Sequence, residues 1–298
     1  MNLNPIVKKD IKTSARSAKL CWGLFAIAMG LTLVMGFAML IIKSESEGFY
    51  ASNVYKNLTA LFPAVSITEM VVIAIMSPVL TAPSITSEKE RQTFDILMTT
   101  PMRSMSIVLG KIAIGVIRIL FYAFSTLPIL AIPFVLGGVN WMDLLWYMLL
   151  LVVVAILGCT IGVFWSSMVN RTVAAVFLSL ASYGALSSLT FFPMLIMGLA
   201  TNNLHSFLGS YYAYGTYYGD TLLFLLINPL ILAIGFYARA ISGQTIGELF
   251  DITRNTVGPM STWLADGYMW MFLSSAMILA MCLGLAAIAA KKINKGTR

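Results

Sequence analysis

The chain has 298 residues, 59% of them hydrophobic and only 10% charged, with a mean hydropathy of +0.88. A soluble globular domain carries about 25% charged residues, so this composition excludes one. The formal net charge of +7 does not point to nucleic acid, because the basic residues sit beside apolar runs long enough to cross a bilayer.

These runs recur along the whole chain and predict an all-α polytopic membrane protein, one transmembrane domain over 1–298. Helices fit hydrocarbon because they satisfy their own backbone hydrogen bonds. Asn4 and Pro5 start an amphipathic interfacial helix over residues 1–19. Ile6, Val7, Ile11, Ala15 and Ala18 share one side of it, and Lys8, Lys9, Lys12, Arg16 and Lys19 the other. This segment is long and has no small-residue cleavage site, so no cleavable signal peptide is expected. The first span is expected at Leu20–Ile42. The second, Phe62–Ile85, carries Pro63, Pro78 and Pro83 and should be kinked.

A polar stretch over 86–101 separates the second and third spans. Ser87 and Glu90 have the spacing of a capping box, and Glu88 and Glu90 suit a first helical turn. Arg91 and Asp95 are placed to pair, Phe94, Leu97 and Met98 form a small apolar stripe, and Pro101 should end the helix. A short, charged helix between two spans follows.

The third span is expected at Ile107–Leu136, the fourth at Leu144–Met168 and the fifth at Val173–Leu199. Residues 200–266 form an outer region with a cluster of tyrosines from Tyr211 to Tyr218, at headgroup level. Within it, Thr221–Ala238 is apolar but broken at Asn228–Pro229. The last span is Gly267–Ala290, followed by Lys291, Lys292, Lys295 and Arg298. Both ends are basic, so both should be cytoplasmic and the number of spans even. With six spans, most of the 19 Lys and Arg residues fall on the inner side. A seventh span at Thr221–Ala238 would put the basic C-terminus outside. That segment is therefore expected as an outer re-entrant helical hairpin before span six.

No phosphate-binding loop is present: Gly110-Lys111 is followed by Ile112, with no glycine five residues before Gly110. The single His205 has no metal-binding neighbours at ligand spacing. Cys21, Cys159 and Cys282 lie in apolar runs and are expected as small packing residues. No metal, cofactor or catalytic residue is expected in this chain. Glu69 and Arg118 fall inside spans, where charge is costly and marks a pathway, a pair or a cavity. Their depths differ by roughly 9 Å, so they could pair only with both side chains stretched. Asn228 is a candidate for the same polar set, its plainer reading being a helix-break cap. The 19 methionines offer adaptable apolar surface, suited to packing and to a bulky hydrophobic cargo.

Asn4-Pro5-Ile6 with Lys8, Lys9 and Asp10, and Glu88-Lys89-Glu90-Arg91-Gln92-Thr93-Phe94 with Leu97, Pro101 and Lys111, resemble the membrane permease subunits of ABC type-two exporters. Asp10 stands where Glu is more usual, and the outer region is longer than in compact members. The resemblance implies that 86–101 is a coupling helix. Glu88, Glu90, Arg91, Thr93, Phe94, Asp95, Ile96, Leu97 and Pro101 would face a separate ATP-binding subunit. Residues 1–19 would be its connecting helix. It further implies two ATP-binding subunits holding ATP and Mg, a second permease, identical or related, and a place in the plasma membrane of a prokaryote. The alternative is a membrane anchor or sensor that recruits a cytosolic partner through the same helix without transporting anything. An intramembrane enzyme is disfavoured because no nucleophile–base pair is visible.

Overall fold

The computed structural model describes residues 18–46, 61–93, 103–135, 140–190, 225–243 and 267–295, with Phe192 and Ile196. The elements among them are helices. They are α1 (Ala18–Ser46), α2 (Leu61–Thr81), α3 (Pro83–Glu90), α4 (Ser104–Val135), α5 (Trp141–Met168), α6 (Thr172–Leu189), α7 (Pro229–Tyr237) and α8 (Gly267–Lys295). A π-helical turn, Ala238–Ser242, extends α7. Six stretches are long and apolar enough to cross a membrane: Cys21–Ile41, Leu61–Glu90, Ser104–Val135, Trp141–Met168, Thr172–Leu189 and Tyr268–Asn294. The all-α, six-span reading is borne out. Most of the amphipathic helix expected over 1–19 lies outside the described residues, Ala18 and Lys19 belonging to α1, and so does most of 200–266.

The chain divides into two compact units, Met1–Leu180 with Cys282–Arg298, and Ala181–Met281. In the first, α2, α4 and α5 form a three-helix core. α1 lies against α2 and α4, and α3 against α5. Hydrocarbon supplies no hydrophobic drive between helices, so such a core depends on close approach at small residues. α5 provides it with Gly158 and Gly162, one turn apart. A Cβ at Gly158 would meet the Ser77 hydroxyl and lie 2.8 Å from Ser77 Cβ and 3.1 Å from Pro78 Cδ. One at Gly162 would meet the Thr81 hydroxyl and lie 2.9 Å from the Pro78 carbonyl oxygen and 3.1 Å from Ala82 N. Gly115 of α4 faces the Thr81 methyl group. Of the most apolar window in each helix, 67% is buried in α5 and only 11% in α1. Cys159 and Cys282 are buried as expected, whereas Cys21 is exposed on α1.

Pro83 divides the second span. It has no amide hydrogen to continue the α2 ladder, and its fixed φ suits a first helical position. The Ala82 amide donates to the Pro78 carbonyl at 2.8 Å, and α3 begins at the next residue.

One expectation is corrected here. Ser87 and Glu90 are not a capping box, because the helix starts at Pro83 and Ser87 falls inside it. The helix that opens at Pro83 closes at Glu90, and the rest of the helix expected over 86–101 falls on residues outside those described. Gln92 takes a left-handed φ of 57°. Its N–H donates to the Lys89 carbonyl at 3.1 Å, and the Thr93 N–H to the Glu88 carbonyl at 3.0 Å. Together these bonds close a Schellman turn. Residues 94–102, with Phe94, Asp95, Ile96, Leu97 and Pro101, lie outside the described residues.

In the second unit, the expected break at Asn228–Pro229 is present, and α7 starts there. The apolar helix Pro229–Ala240 is shorter than any of the six spans. Ser274 of α8 donates to the Leu226 carbonyl at 2.6 Å, and the Arg239 guanidinium lies 3.5 Å from the centre of the Tyr268 ring.

Candidate functional site

α3 is an eight-residue helix whose N-cap, Ala82, has no side chain to bond its first amides. Such amides need a partner when buried. They find it on α5: the Ile85 and Thr86 amides both donate to Ser166 Oγ, at 2.9 and 3.0 Å. α3 returns the favour at the C-terminus of α5, where the last carbonyls are left over. Lys89 Nζ donates to the carbonyls of Ser166 at 3.3 Å, Ser167 at 2.8 Å and Val169 at 3.0 Å. Positive charge there also suits the helix dipole.

The next residue reaches a third helix. The Glu90 carboxylate accepts from the backbone N–H and the hydroxyl of Thr172, both at 2.7 Å, and so caps the start of α6. Glu88 pairs with Lys111 of α4 at 2.6 Å. Lys292, near the end of α8, lies close enough for its charge to bear on Lys89. Three successive residues of α3 thus bind three other helices. Arg91, Gln92 and Thr93 are exposed beyond them.

The second polar cluster lies within the spans. Glu69 of α2 is 1% exposed. Its carboxyl group is hydrogen-bonded by the Thr126 hydroxyl of α4 and, at 2.8 Å, by the Tyr147 hydroxyl of α5. The Tyr147 ring meets Phe62 edge-on with centroids 5.8 Å apart. A carboxyl group in hydrocarbon requires such partners, and these join the three core helices at one level. Arg118 is half-buried on α4. It lies eight residues before Thr126, about 12 Å of helical rise, so the hydroxyls and not Arg118 meet Glu69.

Asn228 adopts the plainer of its two readings. It is fully buried and caps α7, Oδ1 accepting from the Leu230 amide at 2.8 Å. Its Nδ2 donates to the Ser187 carbonyl at 2.9 Å and to Thr190 Oγ1 at 2.6 Å. Among the described residues, no group of three His, Cys, Asp or Glu side chains could hold a metal ion.

A family model described as "ABC-2 family transporter protein" matches residues 4–290. The chain belongs to the ABC-2 transporter family. No match was found among curated proteins. As an ABC-2 permease it is a membrane transport component and not itself catalytic. Permeases of this family generally work with an ATP-binding subunit. Membership supports a transporter permease subunit over the alternative of an anchor that transports nothing.

Of the residues expected to face that subunit, Glu88 and Glu90 are engaged within this permease, and Arg91 and Thr93 stand at the exposed tip of α3. Sequence reasoning did not find Ser166, Thr172, Thr126 or Tyr147. Each is a hydroxyl residue whose partner lies far away in the chain. Gly158 and Gly162 were missed as well, although their spacing is itself a packing signal in a membrane helix.

Proposed function

We propose that this ABC-2 permease forms the translocation pathway of an ATP-driven exporter and is moved by a separate ATP-binding subunit docked at the tip of α3. One observation carries the reading: α3 is short, ends in an exposed turn, and is bonded through Glu88, Lys89 and Glu90 to α4, α5 and α6. A push on such a tip is delivered to three spans together.

Two ATP-binding subunits, holding ATP and Mg, would close on one another and carry with them the α3 tips of two permeases, identical or related. Arg91 and Thr93 would supply polar contacts, with Phe94, Asp95, Ile96, Leu97 and Pro101 completing the surface. Glu69 and Asn228 act as internal fasteners in this scheme, and Arg118 is the candidate polar group of the pathway. In this reading both termini would be cytoplasmic and the protein would lie in a prokaryotic plasma membrane. In support, α3, the 169–172 turn and Lys292 gather at one end of the first unit. The outer segment before α8 is read as re-entrant.

The test is capture of the cognate ATP-binding subunit by tagged permease in detergent, followed by ATP turnover of the reconstituted complex. Arg91→Glu should lower capture roughly tenfold while membrane insertion stays intact, since reversing one charge at an interface costs several kcal/mol at most. Unchanged capture and turnover would remove the α3 tip from the interface.

A further inference from the structure

Each helix end at the inner cluster is capped by a different helix. The amides that open α3 rest on Ser166 of α5. The carbonyls that close α5 rest on Lys89 of α3. The amide that opens α6 rests on Glu90 of α3. Isolated helices fray because these terminal groups lack partners. Here α3 cannot leave α5 without exposing both sets at once, in a place where Ser166 and Thr86 are fully buried. Gly162, one turn before Ser166, is what lets α5 approach closely enough: its Cβ position lies 3.1 Å from Ala82 N.

We propose that Ser166, Lys89, Glu90 and Thr172 are the positioning residues that transmit displacement of α3 to the inner ends of α5 and α6. The 169–171 turn and α3 then move as one body. This proposal rests on the coupling reading above, but its geometry can be tested without the ATP-binding subunit. The work of the four residues is to convert contact at one short helix into motion of two spans that the motor does not touch.

The experiment places spin labels at Arg91→Cys and Asn170→Cys, both exposed positions, in a full-length chain carrying Cys21→Ser. Pulsed electron–electron resonance on the purified permease reads the distance between α3 and the turn. A single narrow distribution is expected. The double variant Ser166→Ala/Lys89→Met keeps the packing volume but removes both caps. Each lost cap should favour the undocked form by roughly tenfold, which appears as a broad second population. Lys89→Arg with Ser166 intact should keep the narrow form, because a guanidinium can still donate to the α5 carbonyls. A narrow distance in the double variant overturns the proposal. If that variant is not monodisperse, Glu90→Ala, which removes both bonds to Thr172, replaces it with labels at Arg91→Cys and Val173→Cys, and Glu90→Gln, which keeps an acceptor, serves as the rescue. A narrow distance there is equally fatal. The capture assay separates the two ideas. Wild-type permease that shows the narrow distance but never binds an ATP-binding subunit sinks the coupling reading. Efficient capture with an unaltered distance in the variants sinks only the clamp.

Discussion

Two of the described helices begin at a proline, α3 at Pro83 and α7 at Pro229, and their first turns are completed in opposite ways. α7 follows Asn228, whose own side chain accepts from the Leu230 amide two residues on. α3 follows Ala82, which has nothing to offer, and its amides rest on Ser166, 81 and 80 residues away. The first helix start is a local matter. The second exists only when α5 is in place. A start that depends on another span is mechanically tied to it, whereas a self-capped start needs no such neighbour. In the proposed coupling scheme, this dependence is what suits α3 to pass a displacement on to α5.

Three changes would break or sharpen this contrast. The largest effect belongs to Gly162→Leu. Its side chain would run into the Pro78 carbonyl and Ala82 backbone and push α5 away from α3. A loss of about 3 kcal/mol is expected, with the borrowed cap lost as well. Denaturant titration in detergent reads the first, and hydrogen exchange at Ile85 and Thr86 the second. Stability equal to wild type would mean that the close approach is not required.

A middle-sized effect is expected at Asn228, because that cap also donates twice. Asn228→Ala should cost about 2–3 kcal/mol, since the Leu230 amide, the Ser187 carbonyl and the Thr190 hydroxyl all lose a partner. Asn228→Ser keeps a cap acceptor and should cost about 1 kcal/mol. Equal losses for the two variants would show that the cap, and not the cross-links, is the idle part. The smallest effect is expected for Glu88→Gln. The pair with Lys111 is partly open to solvent, with side-chain exposures of 25% and 10%, and such pairs contribute below about 1 kcal/mol. A larger loss would place Glu88 among the residues that hold α3 down.

The six spans were legible because apolar length is a property of contiguous residues. The Asn228–Pro229 start was legible for the same reason, cap and capped group being neighbours. Ser87 and Glu90 imitate a local cap, yet Pro83 opens the helix earlier and overrides them. The stop at Glu90 left no glycine to announce it, since Gln92 holds the left-handed position. Glu69 was visible as an anomaly in a span, but Thr126 and Tyr147 carry no mark that distinguishes them from other hydroxyls. In the sequence, Glu90 reads as capping its own helix and facing a partner subunit, and Lys89 only as part of the motif. Their role depends on two helix ends that only folding brings within reach.

The long separation between α3 and its cap sets an order of events during synthesis. Ile85 leaves the ribosome 81 residues ahead of Ser166. At about 5–20 residues per second, that is an interval of roughly 4–16 s. Throughout it, the loop after the second span has no means of completing its first turn. A nascent chain halted before Ser166 should therefore expose this loop to protease added on its side of the membrane, and one released beyond Thr172 should not.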